Sequence, residues 1–379
     1  MSNTINLGNF ISEYSVRNRA GDDIPVYSVT NKEGFCRDYF SKDVASQDRS
    51  TYKIVPRGCF AYNPSRINVG SVDWQRKEDK VIVSPLYVVF SVSKGLDQQY
   101  LYYYLKSEKC LYYIKELASG SVRDNLKLSM LKEFTIPNIT LEEQRKAVMV
   151  LEQTDRLIAL QERQMTVLDE LVKSRFVEMF GDRDSFAAFP LESNVEEMFI
   201  GPFGSSLKNE CFVPETEGYC MVYEQKHAIR KTMNVETRYV TEEKYKELKR
   251  FNVQGGDIIV SCRGTIGETY IVPENAPLVI MHPSIMKIRL KSSAYNNVFF
   301  DFLLQDTLQK HNTDANGSGV KMAVTANTLG KEVFIQPAMH LQNRFAAFVA
   351  EVDKSKLAVK QSLEKLETLK KSLMQQYFG

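Results

Sequence analysis

Residues 141–181, LEEQRKAVMVLEQTDRLIALQERQMTVLDELVKSRFVEMFG, decide the fold, because a second stretch of the same kind occupies residues 340–379, HLQNRFAAFVAEVDKSKLAVKQSLEKLETLKKSLMQQYFG. A shift of 198 positions places Phe180-Gly181 on Phe378-Gly379. The same shift aligns further pairs within and outside these stretches: Leu168 with Leu366, Asp155 with Asp353, Gln144 with Gln342, Gly58 with Gly256 and Pro85 with Pro283. A repeat of this length predicts two copies of one structural unit, each a globular segment followed by a long helix.

Both stretches carry apolar residues at seven-residue spacing, which predicts helices that coil around a partner. The lines are Leu151, Ile158, Met165 and Val172, and Val352, Val359, Leu366 and Leu373; Val148, Leu157, Leu168, Leu171, Phe345, Phe348, Val349, Leu363 and Leu369 widen them. At about 1.5 Å per residue each helix is on the order of 55 Å long, too long for one small domain to cover. We therefore expect the two helices to pair as an antiparallel coiled coil with the globular segments at opposite ends. Two unrelated amphipathic helices, each lying on its own domain, are the alternative.

The globular segments combine β-rich runs with turns and shorter helical patterns, which indicates an α+β fold built as two tandem repeats. Thr140 and Glu143 have the spacing of a capping box, which places the start of the first long helix. The predicted organisation is a globular segment at residues 1–140, a helix at 141–181, a globular segment at 182–338 and a helix at 339–379.

Composition limits the class of protein. The 379 residues are 43% hydrophobic and 25% charged, which is ordinary for a globular protein, and no apolar run is long enough for a membrane span. The N-terminus has no signal-peptide pattern, and the six cysteines form no CxxC pair. These features predict a cytoplasmic protein with reduced thiols and without a zinc site or a membrane partner. A net charge of +2 neither requires nor excludes nucleic acid as a partner.

Catalytic motifs are missing from the sequence. The four histidines have no metal-ligand spacing, and the loop Gly201–Lys208 lacks the GxxxxGK[ST] pattern of a phosphate-binding loop. Asn63-Pro64-Ser65-Arg66 lacks the second proline and the aromatic residue of the Asn-Pro-Pro-aromatic signature of adenine methyltransferases. We therefore expect no active site and no cofactor in this chain.

Polar, glycine-containing loops between strands are the remaining candidates for function. Arginine can donate two hydrogen bonds to guanine, asparagine can pair with adenine, and serine or threonine can contact base or phosphate. The candidate DNA-binding residues are Asn63, Ser65, Arg66, Asn68 and Arg123 in the first unit, and Ser205, Ser206, Lys208, Arg263, Thr265 and Lys321 in the second. Ordinary polar turns with a solvated or salt-bridged arginine have the same composition, so the residues alone leave that alternative open.

The chain resembles the specificity (S) subunits of type I restriction–modification systems over essentially its whole length. The resemblance rests on the order and duplication of short motifs: YNPSRINVGSV, SPLYVVF, SGSVRDNL, TLEEQRKAV, KSRFVEMFGD and GDIIVSCRGTIGETYIVPE. The second long helix begins HLQNRFAAF and lacks the EEQ form of the first, a departure that is also common in the family.

The resemblance implies that each globular segment is a target recognition domain for one half of a bipartite site in double-stranded DNA. The paired helices would set the spacer between the halves and dock two modification (methyltransferase) subunits. Restriction subunits would add translocation and cleavage in a system that acts against phage. S-adenosylmethionine, ATP and Mg²⁺ would serve those partners, while this chain would be non-catalytic and hold no cofactor or metal.

Two other functions fit parts of the sequence. A coiled-coil interaction scaffold without DNA binding would share the long helices, but would have no reason to keep arginine- and glycine-containing loops at equivalent positions. A specificity segment within a methyltransferase–nuclease fusion would share the loops as well. A chain that begins with a recognition unit and ends at the second helix favours a separate subunit over a fusion.

Overall fold

The computed structural model describes residues 4–37, 49–118, 125–263, 265–318 and 325–379. The chain divides into two compact units. Unit 1 is Met1–Met165 together with Val359–Gly379, and unit 2 is Thr166–Ala358. Each long helix therefore contributes to both units. The domain boundaries predicted above follow the sequence repeat instead, and they stay a prediction.

The elements of unit 1 are mostly short strands, followed by helices. They are β1 (Thr4–Asn6), β2 (Ile11–Glu13), β3 (Ser28–Thr30), β4 (Gly34–Cys36), β5 (Lys53–Pro56), β6 (Phe60–Tyr62), β7 (Val72–Trp74), β8 (Lys80–Val83), β9 (Val88–Val92), α1 (Gln98–Leu105), α2 (Glu108–Ala118), α3 (Leu128–Lys132), β10 (Thr135–Pro137) and the start of α4 (Leu141–Phe180), with 3-10 turns at Leu7–Asn9 and Ile67–Val69.

A four-stranded antiparallel sheet with the order β2-β9-β6-β7 is the centre of unit 1. Two-stranded pairs β1-β10, β3-β4 and β5-β8 surround it. Its apolar core contains Phe60, Tyr62 and Phe90 from the sheet and Tyr100 and Tyr104 from α1. This mixture of sheet and helix is the α+β content that the sequence predicts.

Unit 2 has a related element order, with two additional short helices among its strands. It contains the end of α4, β11 (Ala188–Pro190), β12 (Val195–Ile200), β13 (Cys220–Tyr223), α5 (Gln225–Arg230), β14 (Arg238–Val240), α6 (Glu242–Leu248), β15 (Asn252–Val253), β16 (Ile258–Ser261), β17 (Thr269–Ile271), β18 (Val279–Met281), β19 (Ile285–Leu290), α7 (Asn297–Ser318), α8 (Ala326–Lys331), β20 (Val333–Ile335) and the start of α9 (Met339–Phe378), with 3-10 turns at Arg183–Ser185, Leu191–Asn194, Gly204–Ser206, Asn209–Cys211, Glu215–Glu217 and Lys249–Phe251.

The sheets of unit 2 repeat the plan of unit 1. The antiparallel sheet β12-β19-β16-β17 has the strand order of β2-β9-β6-β7, and the pair β11-β20 corresponds to β1-β10. A second four-stranded sheet, β14-β13-β18-β15, includes the parallel pair β13-β18. The equivalent strand orders support the duplication inferred from the sequence.

Equivalent residues also make equivalent interactions. Gly58 and Gly256 both have positive φ angles, 86° and 80°, just before the third strand of their sheets. The side-chain oxygen of Gln144, near the start of α4, accepts a hydrogen bond from the backbone of Asp97 at 2.9 Å. Gln342, near the start of α9, accepts from Asn296 at the same distance. Because Asp97 and Asn296 accept hydrogen bonds from the first turns of α1 and α7, each glutamine fixes one long helix to one capped shorter helix.

Each unit buries the end of one long helix in its core. Phe378, the last residue of α9, is 1% exposed in unit 1, with its ring centroid 4.9 Å from that of Tyr100. Phe180, the last residue of α4, is 0% exposed in unit 2 and lies 4.8 Å from Phe299. The shared helix ending seen in the repeat is therefore a core-packing feature.

The seven-residue line is buried or half-buried within the units, with Leu151, Val172, Val352 and Val359 all buried. Part of the widening predicted for it is wrong, because Leu157, Leu171 and Leu369 are 48%, 45% and 48% exposed. The apolar stripe that the units bury is therefore narrower than the sequence suggests.

Two shorter helical regions differ from expectation. The pattern over residues 99–117 predicts one helix. The structure has two, because α1 ends at Leu105 and α2 begins at Glu108. The composition of residues 316–321 predicts a loop, but α7 continues through Ser318, because a helix propagates readily once it has formed. Residues 319–321 lie outside the described residues. The capping box is confirmed: Thr140 N donates to Glu143 Oε2 at 2.8 Å, and Glu143 N donates to Thr140 Oγ1 at 3.3 Å.

Across the ranges given above, no helix is both long and apolar enough to cross a membrane.

One histidine is part of the folded core of unit 2. His227 in α5 is 0% exposed, and its ring stacks on Tyr223 at 4.5 Å. Glu224 N donates to its Nδ1 at 3.0 Å, and Nε2 lies 3.3 Å from Thr237 Oγ1. Burial lowers the pKa of His227 to about 4, so the imidazole is neutral in the folded protein at pH 7.

The buried imidazole predicts a pH-dependent stability of unit 2. Below about pH 6.5 the unfolded chain binds a proton at His227 that the folded chain excludes, so stability falls as the pH drops towards 4. The loss from this group is up to about 3 kcal/mol. Free energies of unfolding of the wild type and of His227→Gln, each at pH 7 and pH 4.5, test it: the wild type should lose more. Equal losses would contradict the prediction.

Candidate nucleic-acid interface

The connection between β6 and β7 of unit 1 contains four of the predicted residues. Asn63 Oδ1 accepts a hydrogen bond from Ser65 N at 3.1 Å, and Arg66 N donates to Asn63 O at 2.9 Å. A 3-10 turn follows and ends at Gly70, whose φ of 84° favours glycine. The connection is therefore a compact turn that fixes the backbone of Ser65 and Arg66.

A second segment of unit 1 is hydrogen-bonded to this turn. Ser65 Oγ donates to Asn125 Oδ1 at 2.7 Å, and Tyr62 Oη donates to Leu126 O at 3.0 Å. These bonds join the turn to the segment that begins at Asn125. Arg123 itself lies outside the described residues.

The polar groups of this turn differ in exposure. Ser65 and Arg66 are exposed, whereas Asn63 and Asn68 are half-buried. Among the residues that the structure describes, the Arg66 guanidinium makes no ion pair. Its charge is therefore available to an external anion or to a base edge.

The connection between β16 and β17 is the equivalent region of unit 2, because both connections join the third and fourth strands of sheets with the same order. Ser261 Oγ accepts from Glu268 N at 3.0 Å, and Gly267 N donates to Ser261 O at 2.9 Å. Gly267 has a φ of 90°, so the tight turn requires glycine there. Arg263 and Thr265 lie between these anchors and are exposed.

The loop that contains Ser205, Ser206 and Lys208 leaves the same edge of the unit 2 sheet. Gly201 N donates to Ile285 O, and Cys262 N donates to Ser284 O, both at 2.9 Å. The loop at 201–208 and the turn at 262–268 thus begin on either side of the chain that enters β19.

The side chains of this loop are mostly open to solvent. Ser205 and Lys208 are exposed, and Ser206 is half-buried. Lys208 Nζ lies 3.8 Å from Glu210 Oε1, an exposed pair that would hold it only weakly. Lys321, the last predicted residue of unit 2, lies outside the described residues.

Two large apolar residues at these sheet edges were missed by the sequence analysis. Phe203 is 86% exposed and Leu86 is 79% exposed, more than any other large apolar side chain within the described ranges. Each directly follows a proline, Pro202 or Pro85, which was the one available sequence signal. The ring of a proline fixes its own φ angle, which restricts the backbone just before Phe203 and just before Leu86.

The described part of the chain contains no group of three or more His, Cys, Asp or Glu side chains that could hold a metal ion. The exposed members of the predicted set are instead donors and acceptors on turns at one edge of each central sheet: Ser65, Arg66, Ser205, Lys208, Arg263 and Thr265. Such an arrangement can bind a polar, anionic surface.

The family profile of the type I restriction modification DNA specificity domain matches residues 8–170 and 194–369. The chain belongs to this family. Membership confirms the predicted resemblance and the prediction that the chain is a specificity component and not an enzyme.

A relative and two solved structures have related sequences or folds. Over 92 residues the chain is 36% identical to the specificity subunit of type I restriction enzyme MjaIX from Methanocaldococcus jannaschii, an alignment that spans 24% of the chain and 21% of that relative. A chain from a structural study of the assembly and conformational transition of a type I R-M system has a TM-score of 0.57 and 14% identity, with 99% of this chain and 97% of that one covered. The S subunit of a type I system from M. genitalium has a TM-score of 0.54 and 15% identity, with coverage of 99% and 96%. These structural similarities concern the fold.

Proposed function

We propose that this chain is the DNA specificity subunit of a type I restriction–modification complex, in which each unit recognises one half of a bipartite site. The observation that carries the proposal is the pair of equivalent turns, each presenting an exposed arginine, Arg66 or Arg263, beyond the same strand of two sheets of the same order. Membership of the specificity-domain family supports it.

The two turns would supply different kinds of contact. Arg66 and Arg263 can each donate two hydrogen bonds to O6 and N7 of guanine in the major groove. Phosphate contacts by Lys208 and by backbone or hydroxyl donors would position each unit without selecting sequence. The remaining candidates for base or phosphate contact are Asn63, Ser65, Asn68, Arg123, Ser205, Ser206, Thr265 and Lys321.

An antiparallel coiled coil of α4 and α9 would separate the two half-sites. Two ion pairs support it: Asp155 with Lys370 in unit 1 and Asp169 with Lys356 in unit 2, both with nitrogen–oxygen distances of 2.6 Å. From the first pair to the second, the residue number rises by fourteen on α4 and falls by fourteen on α9. Equal and opposite steps of two heptads are expected for one antiparallel register.

The proposal assigns the chemistry to partners. Two methyltransferase subunits would dock on the helices and use S-adenosylmethionine to methylate adenine in the site. Restriction subunits would use ATP and Mg²⁺, and the complex would act in the cytoplasm, where it meets cellular and phage DNA. The chain's own part would be to hold the duplex in register.

A genome-wide map of adenine methylation, with and without this gene, tests the proposal. Loss of one motif made of two short half-sites around a fixed gap is the expected result, and it would give the target at once. If the map does not change, a complex purified through this chain should be assayed for DNA binding at several salt concentrations. A complex without salt-dependent duplex binding would favour the scaffold over the specificity subunit.

Arg66→Ala and Arg263→Ala should each weaken recognition of only one half-site, because each arginine lies in a different unit. If the arginine contacts a base, the expected loss is about 1–3 kcal/mol, together with relaxed selection at one position of that half-site. Competition binding of the assembled complex, with duplexes mutated in one half at a time, measures this. Arg19→Ala, which removes another exposed arginine of unit 1 away from the long helices, is the control. An equal loss at both halves, or no loss, would contradict the assignment.

A further inference from the structure

Within the described part of the chain, the side chains of Phe203 and Leu86 stay open to solvent, 86% and 79% exposed. Phe203 lies in the loop after β12, and Leu86 lies in the segment before β9, so both are at sheet edges that also carry the arginine turns. Fully burying an aromatic or leucine side chain is worth about 1.5–3 kcal/mol, which these residues forgo in the free protein.

The backbone around Phe203 is fixed, although its side chain is open to solvent. Ser206 N donates to Phe203 O at 2.8 Å, which closes the turn after it. Before it, Pro202 is buried and Gly201 packs so closely on His282 that a Cβ atom would lie 2.3 Å from the His282 carbonyl oxygen. The loop backbone on both sides of Phe203 is therefore held in place by packing and a hydrogen bond.

Leu86 is presented in a similar way in unit 1. Its neighbour Tyr87 is 9% exposed, Tyr87 N donates to Ser84 O at 3.0 Å, and Tyr87 Oη accepts from Val29 N at 3.4 Å. Lys53 Nζ donates to Tyr87 O at 2.6 Å. Because these bonds fix the backbone at Tyr87, Leu86 can contact a partner surface with little further loss of conformational entropy.

The distance to the arginine turns can be judged from the strand register. In unit 2, Ser261 at the end of β16 pairs with Ile285, and Gly201 N bonds to the same Ile285. Phe203 follows Gly201 by two residues, and Arg263 follows Ser261 by two residues. In unit 1, Tyr62 at the end of β6 pairs with Val88, two residues from Leu86, and the Arg66 turn follows Tyr62 directly. The exposed apolar residue and the arginine turn thus lie at the same end of adjacent strands in each unit.

We propose that Phe203 and Leu86 are wedge residues, which insert between neighbouring base pairs of the half-site that their own unit recognises. This inference rests on the proposed function. Proteins that insert apolar side chains between base steps unstack and kink the duplex, and they combine the wedge with cationic contacts close by. Stacking of a base on an aromatic side chain is worth about 1–3 kcal/mol, so Phe203 would add affinity while Arg263 selects bases.

Fluorescence of 2-aminopurine tests the wedge, because this base brightens when it loses its stacking neighbours. Once the methylation map gives the target, duplexes carry the probe at each half-site position in turn, except the adenine that is methylated. That adenine is left out because flipping by the methyltransferase would also raise the signal. The full complex is used without S-adenosylmethionine. We expect a bright position in each half.

The variants assign each bright position to one residue. Phe203→Ala should abolish the signal in one half and weaken binding by about 5- to 150-fold, whereas Phe203→Leu, which keeps an apolar wedge, should retain the signal. Leu86→Ala should abolish the signal in the other half. Phe189→Ala, which removes another exposed phenylalanine of unit 2, should change neither reading.

The possible failures are distinguishable. Specific binding without any bright position, or with a bright position that survives Phe203→Ala and Leu86→Ala, would overturn the wedge and leave the proposed function intact. A complex that binds no duplex would overturn the proposed function itself. If Phe203→Ala weakens assembly with the methyltransferase and leaves the DNA signal unchanged, Phe203 contacts a protein partner and the wedge is wrong.

Discussion

Replacing Phe378 with alanine is expected to destabilise unit 1 by about 3–5 kcal/mol, the usual cost of removing a buried phenylalanine side chain. The ring is 1% exposed and lies 4.9 Å from the Tyr100 ring and 6.0 Å from the Tyr104 ring, measured between centroids. Its loss would leave a cavity among large, rigid aromatic groups. Such a site cannot collapse easily, so the cost should be near the upper end of that range.

Hydrogen exchange measured by mass spectrometry is the suitable method, because it reports each unit separately. Peptides from α1 and from the sheet β2-β9-β6-β7 should exchange faster in Phe378→Ala, while peptides from the sheet of unit 2 should be unchanged. Leu369→Ala, which alters a 48% exposed residue of the same helix, is the matched control. Protection in α1 that is as strong as in the wild type would show that Phe378 does not close this core.

Arg289→Ala is expected to destabilise unit 2 by about 3–5 kcal/mol, because it leaves a buried carboxylate without its cation. Asp257 is 1% exposed, and Arg289 donates to it twice, from Nε at 2.7 Å and from Nη2 at 2.8 Å. Arg289 also lies 3.0 Å from Glu197, which is paired with the fully buried Lys287. Arg289, on β19, thus joins acidic groups on its two sides: Glu197 on β12, and Asp257 directly before β16.

Denaturant unfolding, monitored by hydrogen exchange in peptides of unit 2, measures the change in the free energy of unfolding. Arg57→Ala is the control, since Arg57 pairs with Asp79 at a site where the two side chains are 55% and 98% exposed, and such pairs contribute at most about 1 kcal/mol. Combining Arg289→Ala with Asp257→Asn should recover part of the loss, because the orphaned charge is then removed. A single variant as stable as the wild type would refute the buried-charge account.

Regular patterns made the long helices predictable from the sequence. The seven-residue spacing, the capping box at Thr140 and the repeated Phe-Gly ending placed α4 and α9 to within a residue or two. The parallel pair β13-β18 was not predictable, since it joins strands separated by more than fifty residues and depends on the packing between them. The break between α1 and α2 has a local cause that the sequence analysis missed, because Ser107 Oγ caps α2 by accepting a hydrogen bond from Cys110 N at 3.2 Å.

The candidate interface was predictable only in part. Arginine and glycine within a short polar stretch indicated the turns of Arg66 and Arg263, and the equivalent strand orders place those turns at corresponding sheet edges. Phe203 and Leu86 were missed, because an apolar residue in a sequence gives no sign of whether it is buried. Only their exposure in the folded chain distinguishes them from core residues.

The packing of Phe378 also determines when unit 1 can finish folding during synthesis. Its first 165 residues leave the ribosome early, but the helical segment Val359–Gly379 that completes its core is made after every residue of unit 2. Unit 2 therefore has all of its residues available first, although most of unit 1 precedes it in the chain. Until translation reaches Phe378, the aromatic groups around Tyr100 lack their partner and are a surface for chaperones to shield.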